Sequence, residues 1–109
     1  MLESLLGNVT IEKILFYLLV YQQGYPKGMA DLFGIPINGI QQQLKRLEEG
    51  SIVVSTLQGR TRMFQFNPRY PFLKELKELL GRAFEFIPQD EIGKFYTKRT
   101  RPRRAGKPF

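Results

Sequence analysis

Asn38, Gln41, Gln42 and Lys45 stand at i, i+3, i+4 and i+7, a spacing that gathers four side chains on one face of a helix. A side-chain amide carries donor and acceptor side by side and matches the N6/N7 edge of adenine, while an ammonium suits the O6/N7 edge of guanine. Arg46 follows, suited to a phosphate or a nearby acid. Arg60 and Arg62 bring two guanidiniums into a stretch, residues 50–72, that contains no acid. Lys98, Arg99, Arg101, Arg103 and Arg104 add a basic run near the C-terminus. Cations free of neighbouring acids are the chemistry of phosphate backbone contact. Each group also has a plainer reading: a solvated, glutamine-rich helix face, a hairpin kept soluble by two arginines, and a solubility extension. Gly39 either lets a phosphate approach the backbone closely or is simply a weak helix position.

These residues need elements to position them. Residues 27–33 form a short helical segment, Gly34-Ile35-Pro36 a tight turn, and residues 37–49 a second helix. Ala30 is small where two helices must cross. Gly34 is placed to end the first helix in a left-handed conformation, which glycine adopts without a Cβ clash. Ile40, Leu44 and Leu47 form the buried stripe of the second helix, which turns Gln41, Gln42, Gln43, Lys45 and Arg46 mostly outward. Two strands, residues 52–57 and 61–66, flank a glycine turn at 58–60, with Phe64 and Phe66 alternating inward. Arg62 shares their parity, so it points the same way or bends outward near the turn.

A longer helix precedes this unit, from Asn8 or Thr10 to about residue 23, with either residue able to cap it and Gly24 to stop it. A last helix runs from about Pro71, a residue suited to a first turn, to residue 86. The first is apolar nearly all round from residue 14, and the last carries a stripe wider than its own domain requires. Ile14, Leu18, Tyr21, Leu76, Leu80, Ala83 and Phe84 are therefore expected at a subunit interface, with intradomain packing as the alternative. The expected fold is α+β, mostly α: a helix-turn-helix with a two-stranded wing and a C-terminal helix over residues 1–87, followed by a basic tail over 88–109. Phe95, Tyr96 and Phe109 are the tail's candidate anchors.

The segments Met29-Ala-Asp-Leu-Phe-Gly-Ile35, Ile40-Gln-Gln-Gln-Leu-Lys-Arg-Leu-Glu-Glu49, Ile52-Val53 and Gly59-Arg-Thr-Arg-Met-Phe-Gln-Phe-Asn-Pro68 resemble the winged helix-turn-helix transcriptional regulators of the ArsR/MarR-like type, over roughly residues 8–87. The resemblance implies a homodimer that binds double-stranded DNA at promoters, with the flanking helices building the dimer. Two positions depart from it: Pro36-Ile37 stands where the family often has a Ser or Thr cap, and Gly39 where a polar contact residue is common.

Composition narrows the function classes. At 109 residues, 42% hydrophobic, with 9 Phe and 5 Tyr, the chain has the content for one modest core. It contains no Cys and no His, which argues against disulfides, a zinc site and His- or Cys-based catalysis, and no cofactor is expected. Met1-Leu-Glu-Ser4 lacks the basic start of a secretory signal. The longest apolar run, residues 14–21, is far short of the roughly 20 residues that span a bilayer. The expected location is the cytoplasm, without membrane contact.

The net charge of +7 is unevenly placed: the ten acids all lie at or before Glu91, where ten basic residues balance them, and the seven remaining cations lie between Lys94 and Lys107. A neutral body with a basic tail also suits a second reading, a winged-helix interaction module whose tail docks an acidic protein partner. RNA binding through the same arm is a third. Nothing in the sequence identifies an effector molecule.

Overall fold

The structure, a computed structural model, describes residues 1–97. The element order is α1 (Glu3–Leu6), α2 (Val9–Tyr21), β1 (Gln23–Gly24), α3 (Pro26–Phe33), α4 (Ile37–Glu49), β2 (Val53–Gln58), β3 (Thr61–Phe66), α5 (Leu73–Phe84) and α6 (Gln89–Phe95).

Helix α2 begins where its cap dictates: the Ile11 amide donates to Asn8 Oδ1 at 2.8 Å, satisfying one of the orphan donors of the first turn. It becomes the centre of the core, with Ile11, Ile14, Leu15, Phe16 and Leu18 buried. Its apolar circumference is covered within the chain, because α3, α4, α5 and β1 all pack against it. Ile14, Leu18, Leu80 and Ala83, expected at a subunit interface, are consequently buried in the core of a single chain and have almost no surface left for a partner. Tyr21, Leu76 and Phe84 are partly exposed. The helix also stops sooner than its pattern implies: Gln22 adopts φ +73°, and Gln23 and Gly24 leave as a strand.

The helix-turn-helix consists of α3 and α4, with α3 starting one residue before the expected Lys27. α3 takes Pro26 in its first turn, where a missing N–H costs nothing. It ends at Gly34, with φ +68° and ψ +32°. The Gly34 and Ile35 amides both donate to the Ala30 carbonyl, at 2.9 and 3.1 Å, so the turn is closed by one carbonyl from the last turn of the helix it ends. α4 begins after Pro36 with no side-chain cap and buries Ile40, Leu44 and Leu47 against α2 and α3.

The wing pairs β2 and β3 antiparallel in a register running from Val53↔Phe66 to Gln58↔Thr61, which leaves Gly59 and Arg60 as a two-residue turn. Val53, Phe64 and Phe66 are buried at its root. A third strand joins: β1 pairs with β3 through Gln23↔Gln65 and Gly24↔Phe64, giving the sheet order β1-β3-β2. Gly24 sits where a Cβ would stand 2.4 Å from Tyr17 Cε1 and 2.8 Å from Met29 Cε, so any larger residue requires the Tyr17 ring and the Met29 methyl to move.

The body does not end at residue 87. Residues expected to start the tail form α6, and Tyr96 is buried. Tyr96 stacks within 5.7–6.0 Å of the rings of Phe16, Phe33, Phe84 and Phe95. Lys13 Nζ lies 4.5 Å over the Phe95 ring, and Tyr21 donates its hydroxyl hydrogen to the Phe95 carbonyl at 2.8 Å. Phe95 and Tyr96 thus anchor the segment, as their aromatic character implies. Phe109 and the rest of the basic run lie outside the described residues.

Candidate nucleic-acid interface

The buried stripe of α4 sets what the helix presents to solvent. With 3.6 residues per turn, burying Ile40, Leu44 and Leu47 puts Asn38, Gln42 and Lys45 on the opposite side, with Gln41 on the flank toward the wing. All four are exposed, and they alone line a shallow depression of about 250 Å³. The structure therefore brings together the four side chains chosen for base contact. Gly39 lies beneath the same face, where an added Cβ would meet only Ile35 Cγ2, at 3.5 Å, an ordinary contact. The fold itself does not require glycine at that position.

Arg46 does not join this group. One residue past Lys45, it is turned about 100° around the axis, toward α1. Its Nη1 lies 3.3 Å from where a Cβ on Gly7 would stand. Its side chain instead lines a cavity of about 380 Å³ together with Leu5, Leu47, Ile52, Tyr70 and Leu76. On the same flank Asn8 Nδ2 donates to Gln43 Oε1 at 3.1 Å, tying the start of α2 to the middle of α4.

The wing contributes differently at its two arginines. Arg60 is exposed at the tip of the turn. Arg62 shares the inner face with Phe64 and Phe66, and its Nη1 donates to Ser55 Oγ at 3.1 Å. The Ser55 hydroxyl in turn donates to Glu48 Oε2 at 2.8 Å. Arg62 is therefore engaged on the side of the wing facing the end of α4 while remaining exposed to solvent. Ser55 is not evident from the sequence as a partner of Arg62, and Glu48, which the sequence marks only as an acid repelling DNA, holds Ser55 in place. The available signal was cross-strand parity, since Ser55 pairs with Phe64 and stands diagonal to Arg62 on the same face. Leu57, on that face near the tip, is 61% exposed and was likewise overlooked.

Lys98, Arg99, Arg101, Arg103 and Arg104 lie outside the described residues. Among the described residues no helix is long and apolar enough to cross a membrane.

A helix-turn-helix whose second helix displays a polar face, followed directly by an antiparallel hairpin, defines the winged helix-turn-helix fold. Comparison with known proteins agrees on the fold. No protein-family model and no curated protein matches the chain. Among solved structures, a doubly substituted variant of Lactococcus lactis ZitR in its apo form superposes with a TM-score of 0.53, at 19% identity over 80% of this chain and 67% of that one. A singly substituted ZitR variant gives 0.52, also at 19% identity, over 80% of this chain and 61% of that one. The adhesin competence repressor of Streptococcus pyogenes gives 0.47 at 15% identity, over 76% of this chain and 70% of that one. The chain thus spans about two thirds of the length of the ZitR structures it resembles.

Proposed function

We propose that the protein is a sequence-specific, double-stranded DNA-binding transcriptional regulator acting as a homodimer. In this reading α4 enters the major groove, and the wing lies on the flanking backbone or minor groove. The observation that carries the proposal is the depression formed by Asn38, Gln41, Gln42 and Lys45, which gathers amides and an ammonium suited to base edges on the solvent-exposed face of α4. Gly39 beneath that face lets a phosphate approach the backbone, and Arg60 at the wing tip reaches the next one. Arg62, exposed and bonded to Ser55 through Nη1 alone, keeps its other N–H donors for a phosphate. A twofold dimer places its two half-sites about 34 Å apart, or a multiple of that.

The test is fluorescence anisotropy with duplex DNA at several salt concentrations, comparing the native chain with the triple variant Gln42→Ala, Lys45→Ala, Arg60→Ala. Loss of two cations at the interface is expected to lower the slope of log affinity against log salt by about two. Unchanged affinity and slope would sink the proposal. The formal neutrality of the body through Glu91 favours one rival, an interaction module whose basic tail docks an acidic protein. That reading predicts weak DNA binding that the three substitutions leave untouched.

A further inference from the structure

Behind α4 lies a cavity that the proposed base-reading face does not use. Its volume is about 380 Å³, within the roughly 300–1,000 Å³ of small-molecule sites. Seven of its ten lining residues are Leu or Ile, Tyr70 is the one aromatic among them and Arg46 the one charge. Ile11, Leu15 and Leu47 are buried and make its inner wall. Leu5, 66% exposed, and Arg46, also exposed, stand at its rim.

The fold leaves that rim unfinished in two respects. Helix α1 is four residues long and buries none of them, yet it sets Leu5 and Leu6 against the cavity and is held there by the Leu2 amide donating to Glu12 Oε1. Leu5 thus presents apolar surface that the chain does not cover. The Arg46 guanidinium, for its part, makes no hydrogen bond or ion pair among the described residues, whereas Lys27, Arg62 and Arg82 are each paired. Glu48, two residues further on, is turned to Ser55. Gly7 keeps the place of the guanidinium open: a Cβ there would stand 3.3 Å from Nη1 and 3.4 Å from Nη2. Glycine also meets the φ of +108° that ends α1.

These features specify an occupant. Aliphatic walls leading inward from an unpartnered guanidinium match a ligand with an alkyl body and an anionic head. A carboxylate accepts two parallel N–H bonds from a guanidinium, and an alkyl chain gains with each methylene it buries. An aromatic ligand would find one ring to pack on instead of several. The volume lies toward the lower end of the range for ligand sites, which suits a chain of medium length.

We infer that the cavity between α1, α2, α4 and α5 binds a medium-chain acyl carboxylate, its chain inward against Ile11, Leu15 and Leu47 and its carboxylate at the rim on Arg46. None of the lining residues belongs to the group Asn38, Gln41, Gln42 and Lys45, so the inference stands whatever α4 itself binds.

Isothermal titration calorimetry of the full chain with octanoate, decanoate and 1-octanol tests it, each ligand kept below the concentration at which it self-associates. A single decanoate is expected per chain, bound about tenfold more tightly than octanoate, the effect of two further buried methylenes. Arg46→Gln, at an exposed position, is expected to weaken both acids by about tenfold or more and to leave 1-octanol unchanged. Leu5→Glu, which sets a like charge at the rim, is expected to weaken both acids as well. Circular dichroism checks that the variants stay folded. A native chain that takes up neither acid at millimolar concentration overturns the inference, and so does decanoate binding indifferent to Arg46→Gln. Several decanoates per chain with no dependence on chain length amount to surface adsorption and overturn it too. Benzoate bound as tightly as decanoate overturns the acyl assignment.

Discussion

Single residues in this fold are decided by backbone conformation as much as by contact. Gly34 has open space around the position of a Cβ, so an alanine there meets no neighbour and the cost is purely conformational. A left-handed non-glycine residue costs about 1–2 kcal/mol. Gly34→Ala is expected to lower the unfolding free energy in urea by that amount, with the helix content unchanged; a loss below about 0.5 kcal/mol, the usual scatter of a surface substitution, contradicts the assignment. Much at this scale is visible in the chain alone. Ala30, Gly34, Ile40, Leu44 and Leu47 stand where their types imply, because helix periodicity and the left-handed turn are local rules. Asn38, Gln41, Gln42 and Lys45 follow by subtraction, as the residues left outside a buried stripe. Arg46 and Arg62 do not follow. Whether a long cation points to solvent or folds back depends on what lies beside it in space, Gly7 in one case and Ser55 in the other.

Among the elements, α2 shows how two links converge on one residue. Asn8 caps α2 through Oδ1 and holds α4 through Nδ2, at Gln43. Loss of a cap alone costs about 0.5–2 kcal/mol, and Asn8→Ala is expected to destabilise the chain within or slightly above that range in a chemical denaturation series. Gln43→Ala is expected to cost less, since it removes only the side-chain bond to Asn8 and leaves the cap in place. Equal losses from both substitutions would mean that the cap contributes nothing. The boundaries of α3, α4 and the hairpin are legible because each is punctuated by Pro, Gly or a turn. β1 is not legible: two residues carry no alternation, and only the presence of β3 beside them makes a strand. The all-apolar surface of α2 is legible as burial but not as to what buries it. The sequence pattern points first to a second subunit, with packing inside the chain as the alternative, and only the tertiary arrangement of α3, α4, α5 and β1 around α2 separates them.

For the molecule as a whole, the charge and the core are segregated, and α6 marks the seam. Burial pushes the Tyr96 phenol well above the usual tyrosine range, with Glu91, Glu12 and Tyr21 adding to it. Because its folded value is raised, the neutral form is what the fold stabilises. The contribution is fully present below the unfolded value of about 10 and is lost as pH rises from there toward the folded one. Stability is expected to fall above about pH 10, and Tyr96→Phe, which keeps the ring, to flatten that fall. Unfolding curves with the same alkaline slope for both proteins would rule this out.

The two strand residues at the end of α2 have a mechanical consequence. Gln23 and Gly24 bind β3 beside the core, at Gln65 and Phe64, while the other end of the hairpin projects freely at Arg60. The wing is thus a cantilever with a clamped root and not a flap on a hinge: a load at its tip is carried as bending along six residue pairs and delivered as torque to the C-terminal end of α2.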